Sequence, residues 1–487
     1  MRDRVICGAM FHTPARGRLE AMERAAIAVD AQGRIAEVAR QGESGFDALV
    51  GEARACARLV EPGEGRFLMP GLVDLHIHAP QWPQLGKALD EPLEVWLHKY
   101  TFPLEARYAD VGFARRVYRD LVTSLLAHGT TTAVYFATIH MEASLALAEI
   151  CLGEGQRAFV GKVAMDDPDQ CPDYYRDADA AAAVDEMRAF IAKVRALAGE
   201  DGLVRPIITP RFIPSCTDAL LEGLGALAAE TGCLVQTHCS ESDWERDFVA
   251  ARLGRTDTQA LRDFGLLRAH TVLAHSNFVT DADLALIRRQ GAAVAHCPLS
   301  NFYFANAVFP LRRALDMGVR TGLGTDISGG HSPCVLDGCR HALSAARALQ
   351  GGVDAGLAPG RRGVPDAAVS VAEALWLATA GGGAALGLPV GRFEPGCRFD
   401  AVLVDTTRAG SPVARWPELD TVEDMAAKIV LNATRDDIAA VWVEGRCVVS
   451  RSTAAGNHAP PDGASLLRRL QIRFQRQSNQ IPGENAR

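Results

Sequence analysis

Eight short apolar runs, separated by helical stretches, constrain the fold of this chain more than any other feature. The predicted strands cover residues 71–78, 131–136, 158–164, 206–211, 234–238, 271–275, 292–296 and 321–326. Residues 113–127 and 181–197 carry apolar side chains at helical spacing, and Thr280 followed by acids is typical of a helix start. Strands that alternate with helices form a parallel sheet, and eight such units predict an α/β fold, a closed (β/α)8 TIM-like barrel. An open doubly wound sheet is the alternative, but it would bring residues from the first, fifth and last strands together less readily.

The flanks of the barrel region have a different pattern. Residues 25–29 and 34–38 resemble a hairpin, and residues 399–404 and 440–449 are rich in β-forming residues. We expect both chain ends to meet in one small β-sandwich domain. The predicted divisions are residues 1–69 and 390–452 for this domain, 70–389 for the barrel and 453–487 for a tail, which holds an amphipathic helix over 466–474.

Composition and charge exclude some partners. The net charge of −8 argues against nucleic acid, which favours a basic surface. No apolar run is long enough to span a bilayer, and the N-terminus lacks the apolar core of a signal peptide. The 12 cysteines are scattered without a Cys-x-x-Cys pair, which in a chain of this length predicts reduced thiols and a cytoplasmic location.

The strand ends carry residues that suit a metal ion. His76 and His78 lie two apart in one strand, so their side chains point to the same side. His238 and Asp326 end two later strands, and barrel side chains at these ends converge. Three imidazoles and a carboxylate suit a borderline divalent ion such as zinc, although iron would accept similar ligands. Because Lys162 is in the third run, not the fourth where a bridging lysine of two-metal barrels lies, we predict one ion per chain and hydrolytic chemistry.

Three further residues are candidates for roles around the ion. Glu241 follows His238 by three residues and could move a proton to and from water, although an exposed loop acid is the alternative. His275 could be a fifth ligand or a donor to the nucleophile, and we favour the donor. For His296, a structural or substrate-wall role is as plausible as a direct one.

Several segments resemble a known family. The run 70–78, Pro-Gly-Leu-Val-Asp-Leu-His-Ile-His, is similar to the opening metal motif of the amidohydrolase superfamily. Ala-Pro-Gln at 79–81, Lys-Tyr-Thr-Phe-Pro at 99–103 and Thr-Pro-Arg-Phe at 209–212 resemble the guanine deaminases more specifically. The likeness covers residues 70 to 450.

The resemblance implies hydrolysis of guanine to xanthine and ammonia by a zinc-dependent hydrolase of purine catabolism that acts on C–N bonds in cyclic amidines. It implies the metal ligands His76, His78, His238 and Asp326, the catalytic residues Glu241, His275 and Asp326, and the guanine-contacting residues Gln81, Arg211 and Phe212. It also implies a homodimer.

The residues leave alternatives open. Arg211 could instead form a structural ion pair, and Gln81 could lie in a solvated loop. Phe136, Phe212 or Trp82 could stack on a base or pack in the core. The alternative functions are the same chemistry on 8-oxoguanine, cytosine or a triazine, or a non-catalytic scaffold.

Overall fold

The protein is described by a computed structural model over residues 2–200, 202–305 and 307–451. The strands of this part, β1 to β17, span Arg2–Ala15, Arg18–Asp30, Ile35–Arg40, Leu59–Val60, Arg66–Pro70, Leu72–His78, Thr130–Phe136, Arg157–Gly161, Val163–Ala164, Val204–Pro210, Leu234–Cys239, Val272–His275, Ala293–His296, Arg320–Leu323, Ala401–Asp405, Ile438–Val443 and Arg446–Ser450. The α-helices, α1 to α16, span Phe46–Ala55, Leu93–Trp96, Phe102–Ala106, Val111–Ala127, Met141–Glu154, Ala180–Ala198, Asp218–Thr231, Asp243–Leu253, Asp257–Asp263, Asp281–Gln290, Pro298–Phe304, Leu311–Asp316, Val335–Gly351, Val371–Trp376, Gly382–Ala385 and Val422–Asn432.

Eight parallel strands form a nearly closed barrel. They follow the order β6, β7, β8, β10, β11, β12, β13 and β14, with the short β9 paired to β10. The seam is bridged beyond the end of β14, where the Asp326 N–H donates to the His76 carbonyl and the His78 N–H donates to the Ile327 carbonyl, both at 2.9 Å. The predicted TIM-like barrel is therefore confirmed, and its C-terminal strand ends face one another.

A second sheet joins both ends of the chain, as predicted. Its strands follow the order β17, β16, β15, β5, β1, β2 and β3, with β4 beside β1. The hairpin expected from residues 25–38 is the antiparallel pair β2 and β3. The domain boundaries at residues 69, 389 and 452 stay predictions, and the tail 453–487 with its helix lies outside the described residues.

A buried ion pair joins the barrel to this sheet. The Arg157 guanidinium, at the start of β8, contacts the Asp400 carboxylate just before β15 and donates to Glu444 Oε1 at 3.0 Å. The Glu444 N–H in turn donates to Asp400 Oδ1 at 2.8 Å. Each buried charge therefore has a partner of opposite sign, as burial of charge requires.

Local signals agree with the observed helices. Thr280 and Asp283 form a capping box at the start of α10, as the acids after Thr280 predicted. Among the described residues, no helix combines the length and apolar character needed to cross a membrane. All 12 cysteines are free thiols: ten are buried, Cys447 is half-buried and Cys56 is exposed.

Candidate active site

Three imidazoles and a carboxylate meet at the C-terminal end of the barrel. His76 and His78 come from β6, His238 from β11, and Asp326 from the loop after β14. Asp326 Oδ1 lies 3.2 Å from His76 Nε2 and 3.6 Å from His78 Nε2. The His78 and His238 Nε2 atoms are 2.9 Å apart. The four residues predicted as ligands therefore lie together, and the three histidines form a group that could hold a metal ion.

Hydrogen bonds and burial leave lone pairs directed at this point. His238 Nδ1 lies 2.6 Å from the Arg211 carbonyl, which only accepts, so Nδ1–H donates and Nε2 stays free to bind a metal. His76 Nε2 is buried without a hydrogen-bond partner. Burial lowers the pKa of His76, His78 and His238, which keeps the imidazoles neutral. Neutral imidazole nitrogens gathered beside a carboxylate fit a divalent cation.

The Asp326 carboxylate is suited to remain ionised in this setting. Burial alone would raise its pKa, but the neighbouring His76 and His275 outweigh burial and lower the pKa to about 2. The backbone of Asp326 has a φ of 51°, a left-handed conformation that few residues other than glycine adopt. The barrel wall therefore turns sharply where this side chain enters the site.

A chain of amides fixes the orientation of His275. The Glu241 carbonyl accepts from Asn277 Nδ2 at 2.9 Å, so Asn277 Oδ1 must accept from Asn301 Nδ2 at 2.8 Å. Asn301 Oδ1 consequently accepts from His275 Nδ1–H at 2.9 Å. His275 Nε2 then points to the site, 3.6 Å from Glu241 Oε2 and 3.7 Å from Asp326 Oδ2.

Glu241 is buried beside the metal-binding residues, not exposed in a loop. Burial raises its pKa to about 7, and this effect exceeds the opposing influence of His275. Its N–H donates to Glu245 Oε2 at 2.7 Å, which anchors the loop that carries it. A carboxyl group with a pKa near neutrality can both accept and return a proton.

The adjoining pocket contains the three residues predicted to contact substrate. Gln81, Arg211 and Phe212 line it together with His78, His238, Glu241, His275 and Asp326, and the apolar side chains of Leu93, Trp96, Leu97 and Phe304 complete the wall. Gln81 is 1% exposed, so the solvated-loop alternative is wrong. Arg211 forms an ion pair with Glu105 and also lines the pocket, so the ion pair does not remove it from the candidate substrate contacts.

Other candidates lie away from this pocket. Phe136 packs against the His78 and His238 rings, and Trp82 donates to Asp120, so Phe212 is the one of the three aromatic candidates that lines the pocket. The His296 ring packs on Phe309, with centroids 5.2 Å apart.

Sequence reasoning missed Glu105 and the Asn277–Asn301 chain. Glu105 lies two residues beyond the Lys-Tyr-Thr-Phe-Pro segment, but nothing in its local pattern signals a pocket residue. Asn301 lies five residues beyond the predicted strand 292–296, but its contact with His275 joins two separate barrel units and has no local signal.

Comparisons with known proteins agree with this geometry. The profile of the Amidohydrolase family matches residues 67–448. A probable guanine deaminase of Schizosaccharomyces pombe is 36% identical over 96% of this chain and 89% of its own length. The structure of a guanine deaminase from C. acetobutylicum with bound guanine superposes with a TM-score of 0.81 and 28% identity. The match covers 92% of this chain and 100% of that one. A Zn-bound adenosine deaminase from Xanthomonas campestris superposes with a TM-score of 0.76 and 25% identity, covering 98% of each chain.

Proposed function

The chain belongs to the amidohydrolase family, and from this we propose that it is a guanine deaminase, a hydrolase that converts guanine and water to xanthine and ammonia. The observation that carries the proposal is a pocket in which His78, His238 and Asp326 lie with Gln81 and Arg211, while His76 contacts Asp326 at 3.2 Å. Curated relatives that are guanine deaminases align over nearly the whole chain, which supports guanine over 8-oxoguanine, cytosine or a triazine.

We assign one metal ion to His76, His78, His238 and Asp326. Three neutral imidazoles with one carboxylate favour zinc, as the Zn-bound structural relative also suggests. When bound, such an ion lowers the pKa of water and supplies a nucleophile near neutral pH.

The protein side chains then move the protons. Glu241 takes one proton from water as the oxygen bonds to C2 of guanine, and delivers it to a ring nitrogen. His275 Nε2 orients the nucleophile between the two carboxylates. Asp326 helps pass the remaining hydroxyl proton to the C2 amino group, so that the C–N bond breaks, the new carbonyl forms and ammonia leaves.

Gln81, Arg211 and Phe212 would hold the base during these steps. Guanine presents a carbonyl oxygen and ring nitrogens as acceptors, and the planar Arg211 guanidinium donates in a fixed geometry. Gln81 can donate and accept. Phe212 supplies an aromatic surface at the pocket wall for the ring.

Replacing Glu241 tests its assigned role as the proton shuttle. Glu241→Gln should bind metal as the wild type does but lose roughly 10²- to 10⁴-fold in kcat, because the amide cannot carry the proton. The ultraviolet change on guanine addition measures turnover, with and without a chelator, and metal analysis measures the ion.

Glu423→Gln, at an exposed position on α16, is the matched control and should keep full activity. Guanine turnover by Glu241→Gln at the wild-type rate would refute the assigned proton shuttle. Release of ammonia from another base in a panel, but not from guanine, would refute guanine as substrate.

The cytoplasmic location, the homodimer and the role in purine catabolism stay predictions. Light scattering of the purified protein tests the dimer, and cell fractionation tests the location.

A further inference from the structure

Glu105 is a fully buried carboxylate directly behind the substrate-facing residues. It lies on the short helix α3 and is 0% exposed. Its Oε2 accepts from Arg211 Nη1 at 2.6 Å, and its Oε1 accepts from Arg211 Nη2 at 3.3 Å and from Gln81 Nε2 at 2.9 Å. One acid therefore holds both polar side chains that we assign to the base.

These contacts settle the orientation of the Gln81 amide. A carboxylate only accepts, so the amino group of Gln81 points to Glu105. The Ser328 N–H only donates, and it lies 3.2 Å from Gln81 Oε1. The second amide hydrogen and the second lone pair of the carbonyl remain for a ligand.

Arg211 is fixed in the same way. Its guanidinium lies over the Phe102 ring, 5.0 Å from the centroid, and is 3% exposed. Two of its five N–H groups are committed to Glu105, which leaves the others as donors in a set plane.

The charges of this group cancel. A lone buried guanidinium would attract any anion strongly, because charges interact more strongly where water is excluded. Glu105 neutralises Arg211, so the pair offers N–H donors without a net positive charge. Such a surface suits an uncharged ring with carbonyl and nitrogen acceptors.

The absence of a net positive charge on the Arg211–Glu105 pair matters because of the product that the reaction forms. Xanthine has one more ring carbonyl than guanine, which acidifies its ring N–H groups, so it ionises more readily. An uncompensated Arg211 would retain that anion after each turnover.

We propose that Glu105 is a specificity-determining positioning residue, which makes Arg211 and Gln81 a charge-neutral donor pair that binds the neutral base and releases the more acidic product. This inference rests on the proposed guanine deaminase function. Beyond that function, it states that the site discriminates between ligands by their charge, and that Glu105 sets this preference without touching the reacting atoms.

Glu105→Gln tests the rule, because it removes the charge but keeps the size of the side chain. KM for guanine should rise roughly tenfold or more, with a smaller change in kcat, since binding geometry is disturbed while Glu241 is not. Inhibition by xanthine, measured at a pH where xanthine is largely anionic, should tighten by about tenfold or more.

The matched control is Glu373→Gln. Glu373 forms a similar pair with Arg312, at 2.7 Å for both oxygens, away from the pocket. Loss of the Glu373–Arg312 pair should change the stability of the protein, but should leave the KM for guanine and the inhibition by xanthine unchanged. Glu105→Asp, which restores the charge, should return the xanthine inhibition constant toward that of the wild type.

A double variant keeps the inference testable if Glu105→Gln folds poorly. Glu105→Gln with Arg211→Gln removes both charges of this pair and should show no tightened xanthine inhibition. If Glu105→Gln folds and binds xanthine no more tightly than Glu373→Gln does, or if the double variant still shows tightened inhibition, the inference is wrong. If the wild type fails to deaminate guanine, the proposed function itself fails, and the two outcomes are thus separate.

Discussion

At the scale of single residues, the assigned proton shuttle is held by two further acids. Glu245 Oε2 accepts the Glu241 N–H at 2.7 Å, and Asp257 Oδ1 accepts the Ser240 N–H at 3.2 Å. Burial raises the pKa of both the Glu245 and the Asp257 carboxyl groups, and the neighbouring Asp257 raises that of Glu245 further.

This arrangement gives a prediction for Glu245. Glu245→Gln keeps an acceptor for the Glu241 N–H, so kcat should stay within about threefold of the wild type. Glu245→Leu loses this bond, so kcat should fall by roughly tenfold or more with little change in KM. Steady-state kinetics on guanine measures both, and equal kcat values for the two variants would contradict the positioning role.

The proposed metal ligands His76, His78 and His238 could be predicted because the strand itself sets the direction of their side chains. His76 and His78 follow from the two-residue period, and His238 follows from its place at a strand end. Glu105 lacked such a signal, because its function arises from contacts with Arg211 and Gln81 that only the folded chain creates.

At the scale of elements, the predicted strands agree with the observed ones to within two residues, except for two runs. The run 158–164 is divided at Lys162, whose buried ammonium donates to Asp177 at 3.0 Å. The run 321–326 ends as a strand at Leu323, since the chain must turn to bring Asp326 to the imidazoles. A propensity argument cannot predict such departures, because they depend on the partner across the barrel.

Close packing between neighbouring strands gives a prediction for Gly161, at the end of β8. A Cβ atom here would collide with the Thr209 hydroxyl and lie 2.8 Å from Gln236 Nε2, which donates to Thr209 and to the Tyr135 carbonyl. Gly161→Ala should therefore lower the free energy of unfolding by roughly 2 kcal/mol. Denaturant unfolding measures the change.

Gly153 is the matched control. It lies exposed in α5, where an added Cβ meets nothing within 4 Å. Gly153→Ala should raise the free energy of unfolding by about 0.5–1 kcal/mol, because alanine favours the helix. A Gly161→Ala protein as stable as Gly153→Ala would show that the strands can separate without cost.

At the scale of the whole molecule, residues distant in sequence tie the chain ends together. His12, in β1, accepts the Phe393 N–H through Nδ1 at 3.2 Å, and its Nε2 lies 3.6 Å from Glu20. Burial lowers the pKa of His12 to about 4 and outweighs Glu20, which raises it. The folded protein therefore holds this imidazole neutral.

The dependence of stability on pH follows from that shift. As the pH falls from about 6.5 towards 4, the unfolded chain binds a proton at His12 that the folded protein resists, so the wild type should lose roughly 3 kcal/mol through this group. His12→Asn keeps an acceptor for Phe393 and does not titrate, so its loss over this window should be smaller. Denaturant unfolding at several pH values measures the difference. His98→Asn, at an exposed site, should follow the wild-type curve, and an identical curve for His12→Asn would exclude His12 as the cause.

The distribution of the 12 thiols has a practical consequence. With Cys56 exposed and ten others buried, a maleimide dye should modify the native protein first at one place on α1's C-terminal side. Denaturation would then expose the buried thiols. The number of alkylated thiols per molecule, measured by mass spectrometry, would therefore report the extent of unfolding.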